Sequence, residues 1–221
     1  MLEYKLPQGV WQDLLLHALS IIEDIKKHGT PDPFWTFGGG TVLMFRYKHR
    51  LSQDIDIFVP DPQYLGFATP RLSDIAAAVS SQYVEDQGSY VKLIRPEGEI
   101  DFVASPNLTE EPFEIWNIAG HHIKVETATE IVAKKLWHRG DRATARDLFD
   151  LSLVIDREPE ALMKAAKFLL KNANAFIHQI ESRAKVLNAQ FNEINTLQYK
   201  PSFNEAAEKA INFLSTLNEC K

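Results

Sequence analysis

Cysteine is almost missing from this chain. Cys220 alone is present, so no intrachain disulfide can form, and the composition fits a reducing cytoplasm. No apolar run is long enough to cross a bilayer, and residues 1–7 lack the apolar stretch of a signal peptide, so neither membrane insertion nor export is expected. Positive charge is the minority sign. Lys and Arg number 24 against 30 Asp and Glu, a net charge of -6, so general basicity cannot hold this chain to nucleic acid and any phosphate contact must be local. Internal repeats and low-complexity tracts are absent. No GxSxG or Cys–His arrangement supports nucleophilic catalysis, and His121-His122 lacks the spacing of a zinc site.

What is present is enough for one large or two small domains. A chain of 221 residues that is 45% hydrophobic builds a core without disulfides or a structural metal. Val10, Leu14, His17, Ile21 and Ile25 recur at helical spacing and predict a helix over 9–28, stopped by Gly29 and Pro31. Phe34-Trp35-Thr36-Phe37 suits a buried strand, three glycines break it, and a short helix is expected over 41–47. Ile55, Ile57, Phe58 and Val59 mark a second strand. Residues 61–70 are rich in turn formers, and 72–82 read as a helix. A hairpin is expected from 90–94 and 99–103 around Pro96-Glu97-Gly98, with further strands at 112–117 and 121–125. Beyond Glu126 the pattern is helical, with helices expected over 127–138, 143–155, 158–171, 174–187 and 203–217. The expected organisation is α+β: a mixed α/β domain over 1–126, its sheet flanked by helices, and then a helical bundle over 127–221.

The chemistry concentrates between residues 38 and 59. A strand runs through Gly38-Gly39-Gly40 into a helix. Glycine lets the backbone turn sharply and approach a ligand with no Cβ in the way, and the N–H groups of a helix start bind phosphate. The spacing is neither GxGxxG nor GxxxxGK[ST], so the dinucleotide and P-loop fingerprints do not apply. Asp54 and Asp56 then stand two apart on a predicted strand and point to one face. Paired carboxylates repel, a divalent cation relieves the repulsion, and carboxylates combined with phosphates suit magnesium. A solvent-facing strand edge is the competing reading, weakened by Ile55 and Ile57 on the other face. Asp101, on the apolar strand Glu99-Ile100-Asp101-Phe102-Val103, would complete a phosphoryl-transfer site, either accepting a proton from an attacking hydroxyl or sharing a second metal. Arg46, His49 and Arg50 stand near enough in sequence to meet nucleotide phosphates, and Ser52 to order the loop.

Residues 134–146 form the local basic run, with Lys134, Lys135, Arg139, Arg142 and Arg146 against Asp141. A solvated helix face is the simplest reading of such a run. Lys135 follows an apolar stripe, and Asp147 and Asp150 share a helix face, so Lys135, Arg146, Asp147 and Asp150 read either as ion pairs locking two helices or as groups aimed at an anion. Trp35, Trp116 and Trp137 read as core or rim residues, with base stacking as the alternative.

Taken together, GGGT, HRLSQDID and EIDF, followed by Lys135, Arg139 and ARDLFDL (residues 145–151), resemble the AbiEii-type nucleotidyltransferase toxins of bacterial type IV toxin–antitoxin systems. The likeness spans about residues 34–155. The resemblance implies a nucleotidyltransferase-like mixed sheet and transfer of an NMP from an NTP to a hydroxyl of RNA, such as a tRNA 3′ end, or of protein. It implies that Gly39 and Gly40 hold the triphosphate turn, with Thr41 where the family often has Ser. Asp54 and Asp56 would bind magnesium, with Asp101 beside them for a second ion. Lys135 would contact phosphate, and Asp147 would complete the site from the helical half. It also implies an antitoxin partner. A scaffold kept only to bind a protein or nucleic acid, without catalysis, is the alternative.

Overall fold

The computed structural model describes residues 6–86 and 88–219, so Cys220 and most of the N-terminal segment read above lie outside the described residues. The chain divides into two compact units. The first runs to Phe45 and takes in Ser52–Asn107 and Phe113–Glu126; the second comprises Arg46–Leu51, Leu108–Pro112 and the chain from Thr127.

In the first unit, α1 (Trp11–His28) buries Leu14, Leu15, Ala18, Ile21, Ile22 and Ile25 along one stripe, and Lys26, Lys27 and His28 complement the dipole of its last turn. β1 (Thr36–Gly38) is wholly buried and leads directly into α2 (Gly39–Tyr47). β2 (Ile55–Val59) alternates, with Ile55, Ile57 and Val59 buried and Asp56 and Phe58 half-buried. A 3₁₀ turn at Pro62–Tyr64 precedes two short helices, α3 (Leu65–Ala68) and α4 (Asp74–Val79). β3 (Gln82–Asp86), β4 (Tyr90–Arg95) and β5 (Gly98–Ala104) form an antiparallel meander, and β6 (Phe113–Ile118) and β7 (His121–Glu126) a hairpin.

Among the described residues these strands form one seven-stranded mixed sheet in the order β3-β4-β5-β2-β1-β7-β6. β2 runs antiparallel to β1 and parallel to β5, and β1 runs parallel to β7. Helix α1 packs on β2 and β5, so the apolar residues of those strands have a cover. This is the α+β sheet with flanking helices expected from the sequence.

One expected helix is shorter than its pattern suggested. α4 ends at Val79, because Ser80 is extended (φ -156, ψ 136) and its hydroxyl bonds Ile94 O at 2.6 Å and accepts from Gln82 N at 3.1 Å. The residues beyond, Tyr83 and Val84 among them, join the sheet as its edge strand β3.

The second unit is helical from Thr127 onward. α5 (Ala128–Arg139) begins at Thr127, whose side chain accepts from Glu130 N. After a 3₁₀ turn at Gly140–Arg142, α6 (Ala145–Arg157) opens with a capping box, Thr144 and Asp147 each taking the other's backbone N–H. The expected helix over 158–171 is broken at Ala165 (φ -85, ψ 6) into α7 (Pro159–Lys164) and α8 (Ala166–Leu169). The next pattern is likewise divided at Arg183 into α9 (Ala173–Ser182) and α10 (Ala184–Asn192). α11 (Phe203–Glu219) closes the fold. The Phe149 ring packs at a tilt on Phe191 at 5.4 Å, and Phe191 meets Phe203 edge-on at 5.8 Å, at the heart of this unit.

Candidate functional site

The sheet register of the first unit sets four positions in one row. Gly38 on β1 faces Asp56 on β2, Asp56 faces Asp101 on β5, and Asp101 faces Lys92 on β4. Directly opposed residues project to the same face, so two carboxylates and one ammonium lie side by side beside a position that has no side chain. Asp54 stands one residue ahead of β2, and its Oδ1 accepts from Glu99 N at 3.1 Å. Thr41 is fully buried and its hydroxyl meets the Asp54 carbonyl at 2.6 Å and Ser52 Oγ at 3.2 Å. Thr41 and Ser52 thus fix the segment that presents Asp54.

Gly39 explains the glycine turn. Its φ is +73°, and a Cβ there would lie 1.8 Å from Asp56 Oδ2. Gly39→Ala therefore combines left-handed backbone strain, about 1–2 kcal/mol, with displacement of the Asp56 carboxylate. We expect it to lower the urea midpoint and to remove activity. A variant with wild-type stability and activity would show that the turn has no such role. Gly40 follows as a buried residue of the first turn of α2.

Asp101 is held unusually for an acid. Its Oδ1 is buried without a hydrogen-bond partner, while its Oδ2 lies 3.1 Å from Lys92 Nζ. Burial, and then the charge of Asp56, push its pKa up to about 7 against the pull of Lys92. Lys92 also pairs with Glu99, and these acids raise its pKa although burial opposes the charge. Among the described residues no group of three or more His, Cys, Asp or Glu side chains converges as a ready-made metal cage. An orphaned carboxylate oxygen beside a second carboxylate nevertheless fits a divalent cation whose remaining ligands come from a phosphorylated substrate, the arrangement magnesium favours.

The basic and acidic residues of the second unit assemble separately. Asp150 is completely buried and receives Arg50 Nε at 2.8 Å, Arg50 Nη2 at 2.9 Å and Lys135 Nζ at 2.6 Å; His49 Nε2 lies 2.9 Å from it. Lys135 Nζ also reaches Asp147 at 3.0 Å, and Arg139 Nη2 meets the same oxygen of Asp147 at 2.6 Å. Asp147 Oδ2 accepts from Thr144 N and Oγ1. Lys135, Asp147 and Arg50, all singled out in the sequence, are therefore brought together as one ion-pair network, with Asp150 as its hub. Arg50 is committed to Asp150 and to Leu51 O.

These acids have strongly acidic carboxyls. Burial works against the charge of Asp147, but Lys135, Arg139 and Thr144 overcome it and hold the pKa at about 2. Arg50 and Lys135 outweigh burial at Asp150 and hold it well below the carboxylate range. A depressed folded pKa means stability that is present above about pH 4 and lost as pH falls through the folded value, about 2 kcal/mol for Asp147. Urea melts of Asp147→Asn should show that loss already at neutral pH, with less further loss between pH 4 and 2 than wild type. Parallel pH curves would refute the assignment.

Sequence reasoning passed over Lys92. The signal was available: with Arg95 opposite Gly98, the Pro96-Glu97 turn sets Lys92 opposite Asp101.

A family model described as nucleotidyl transferase AbiEii toxin, type IV toxin–antitoxin system, matches residues 22–215. Among solved structures, MenT4, a nucleotidyltransferase toxin from Mycobacterium tuberculosis H37Rv, superposes with a TM-score of 0.56 at 15% identity, covering 95% of this chain and 83% of that one. JHP933 from Helicobacter pylori superposes with a TM-score of 0.49 at 17% identity, covering 96% and 94%. The likeness to MenT4 is one of fold. No curated protein matches the chain.

Proposed function

The chain belongs to the AbiEii family of nucleotidyl transferase toxins, and on that premise we propose that it moves an NMP from an NTP to a hydroxyl of RNA, at a tRNA 3′ end, or of protein. The observation that carries this reading is the row of Asp56, Asp101 and Lys92 beside the Gly38-Gly39 turn. Asp54, Asp56 and Asp101 would hold magnesium, two ions in the loaded site, with triphosphate oxygens as further ligands. Bound magnesium would supply positive charge against the phosphates. Gly39 and Gly40 would hold the triphosphate turn, and the first N–H groups of α2 suit its charge.

Asp101 would either share the second ion or, through its unpartnered Oδ1, accept the proton of the attacking hydroxyl. The hydroxyl oxygen bonds to the α-phosphorus, the bond from that phosphorus to the bridging oxygen breaks, and pyrophosphate leaves. Lys92, 3.1 Å from Asp101 Oδ2, favours the ionised carboxylate that either role needs. Lys135 is the proposed phosphate contact of the helical unit, with Asp147 and Arg50 acting through the network that orients it. The family also brings an antitoxin as the expected partner.

Incubation with magnesium, α-labelled NTPs and total RNA tests this reading. Label is expected in RNA or in a protein; absence of both nucleotide binding and labelling with all NTPs overturns it. A readout independent of turnover is available as well. Magnesium should raise the melting temperature of the wild type and raise that of Asp101→Asn less, because the variant lacks one of the charges that recruit the ions.

A further inference from the structure

Four side chains beyond the acid row are joined by ring contacts. In the second unit, Lys171 Nζ lies 3.8 Å from the centroid of the Trp137 ring, Trp137 meets Phe168 edge-on at 5.9 Å, and Lys167 Nζ lies 4.7 Å from the Phe168 ring. Cations are attracted to aromatic faces, and the contacts hold flexible lysines in place. The platform is built into the backbone. Asn172 donates to both Leu136 O and Trp137 O at 2.9 Å, closing the end of α5, and a Cβ on Gly140 would lie 2.7 Å from Asn172 Cβ.

Cations outnumber acids in residues 134–146. Partial burial lowers the pKa of His138, and Lys134, Lys171, Arg142 and Arg139 lower it further; of these, Lys134 pairs with Glu130 and Arg139 with Asp147. Lys167, Lys171, His138 and Arg142 are all exposed. Asp141, paired with Arg142 at 3.4 Å, is the acid within the basic run. On a chain with net charge -6, a fixed cluster of cations interleaved with aromatic rings matches a phosphate backbone carrying bases better than it matches an acidic polypeptide, which offers nothing to stack.

We propose that Trp137, Arg142, Lys167, Phe168 and Lys171 form the surface on which an acceptor RNA lays its phosphate backbone. The proposal rests on the nucleotidyl-transfer reading for its choice of acceptor, and it is tested separately from that reading. Three cations engaging three phosphates of a single strand give a slope of log K against log salt of about -2.

The experiment measures fluorescence anisotropy of a labelled RNA stem-loop with a single-stranded 3′ end, bound to the full chain across a salt series. Lys167→Glu/Lys171→Glu and Arg142→Glu are compared with Lys185→Glu, an exposed change elsewhere in the same unit. The double variant is expected to bind at least tenfold more weakly at low salt, with a slope about one unit or more shallower. Lys185→Glu should match wild type, and magnesium-dependent NTP binding should be equal in all, which shows that they fold. Wild-type RNA binding by the platform variants overturns the proposal, even if NMP transfer proceeds. Loss of RNA binding in those variants supports it, even if no transfer is ever detected. Displacement of the RNA by polyglutamate at equal charge concentration would assign the surface to an acidic protein and overturn it too.

Discussion

Asp56→Asn is expected to abolish nucleotidyl transfer and, in metal-free protein, to raise stability. Both effects follow from the place of Asp56 between the Gly39 turn and Asp101. A metal held by carboxylates stabilises developing phosphate charge by several kcal/mol, and loss of about 4 kcal/mol lowers the rate about 10³-fold. The same carboxylate is the charge that, after burial, keeps the pKa of Asp101 at about 7. Its removal lets Asp101 ionise at lower pH, beside Lys92, with less repulsion. A gain on the order of 1 kcal/mol is expected in urea melts with chelator present. Turnover of more than a tenth of wild type in the labelled-NTP assay would sink the role given to Asp56. Opposite signs for activity and stability separate this outcome from simple misfolding.

Asp150→Ala is the change with the largest expected effect on folding. The carboxylate is completely buried and compensates Arg50 and Lys135, whose side chains are 4% and 10% exposed. Removing one partner of a buried pair leaves uncompensated charge and costs about 3–5 kcal/mol, a large share of the 5–15 kcal/mol typical of a domain. Insoluble expression or a collapsed urea midpoint is expected. Arg139→Ala provides the contrast. Arg139 meets Asp147 from a side chain that is 44% exposed, and its loss should lower stability by less than about 1 kcal/mol. Equal effects from the two substitutions would show that burial does not set the strength of this network.

Much of the acid row was legible in the sequence because it rests on local rules. Alternation places Asp56 opposite to Ile55 and Ile57, and the glycine run announces a turn that only φ > 0 satisfies. The helical network was legible only as two alternatives. The spacing of Asp147 and Asp150 puts them on one face, but nothing local indicates that Arg50, about a hundred residues earlier, supplies a cation to Asp150, with His49 beside it. The basic run shows the same limit. Its composition suggests an even solvated face, yet Lys134 turns in to Glu130 and Lys135 to Asp147 and Asp150, while Arg142 remains exposed. Strand β3 was hidden because the helical pattern of α4 runs on past Ser80, and a tertiary bond to Ile94 O decides the boundary.

The two units are interleaved along the chain rather than strung in tandem. The link between α2 and β2 passes through Arg46–Leu51, which belongs to the second unit, and there Arg50 bridges Thr196 while the Leu51 N–H bonds Asn195 O. These partners lie almost 150 residues downstream. On a ribosome, a nascent chain that has completed its sheet still carries Arg50 and Leu51 without Thr196 and Asn195, and closes that loop only when most of the helical segment has emerged. Loops this long close slowly, and the order of synthesis cannot shorten them. Maturation of this protein is therefore expected to be a late event that waits on its C-terminal third, and truncation there should release the N-terminal sheet connection as well as the helices.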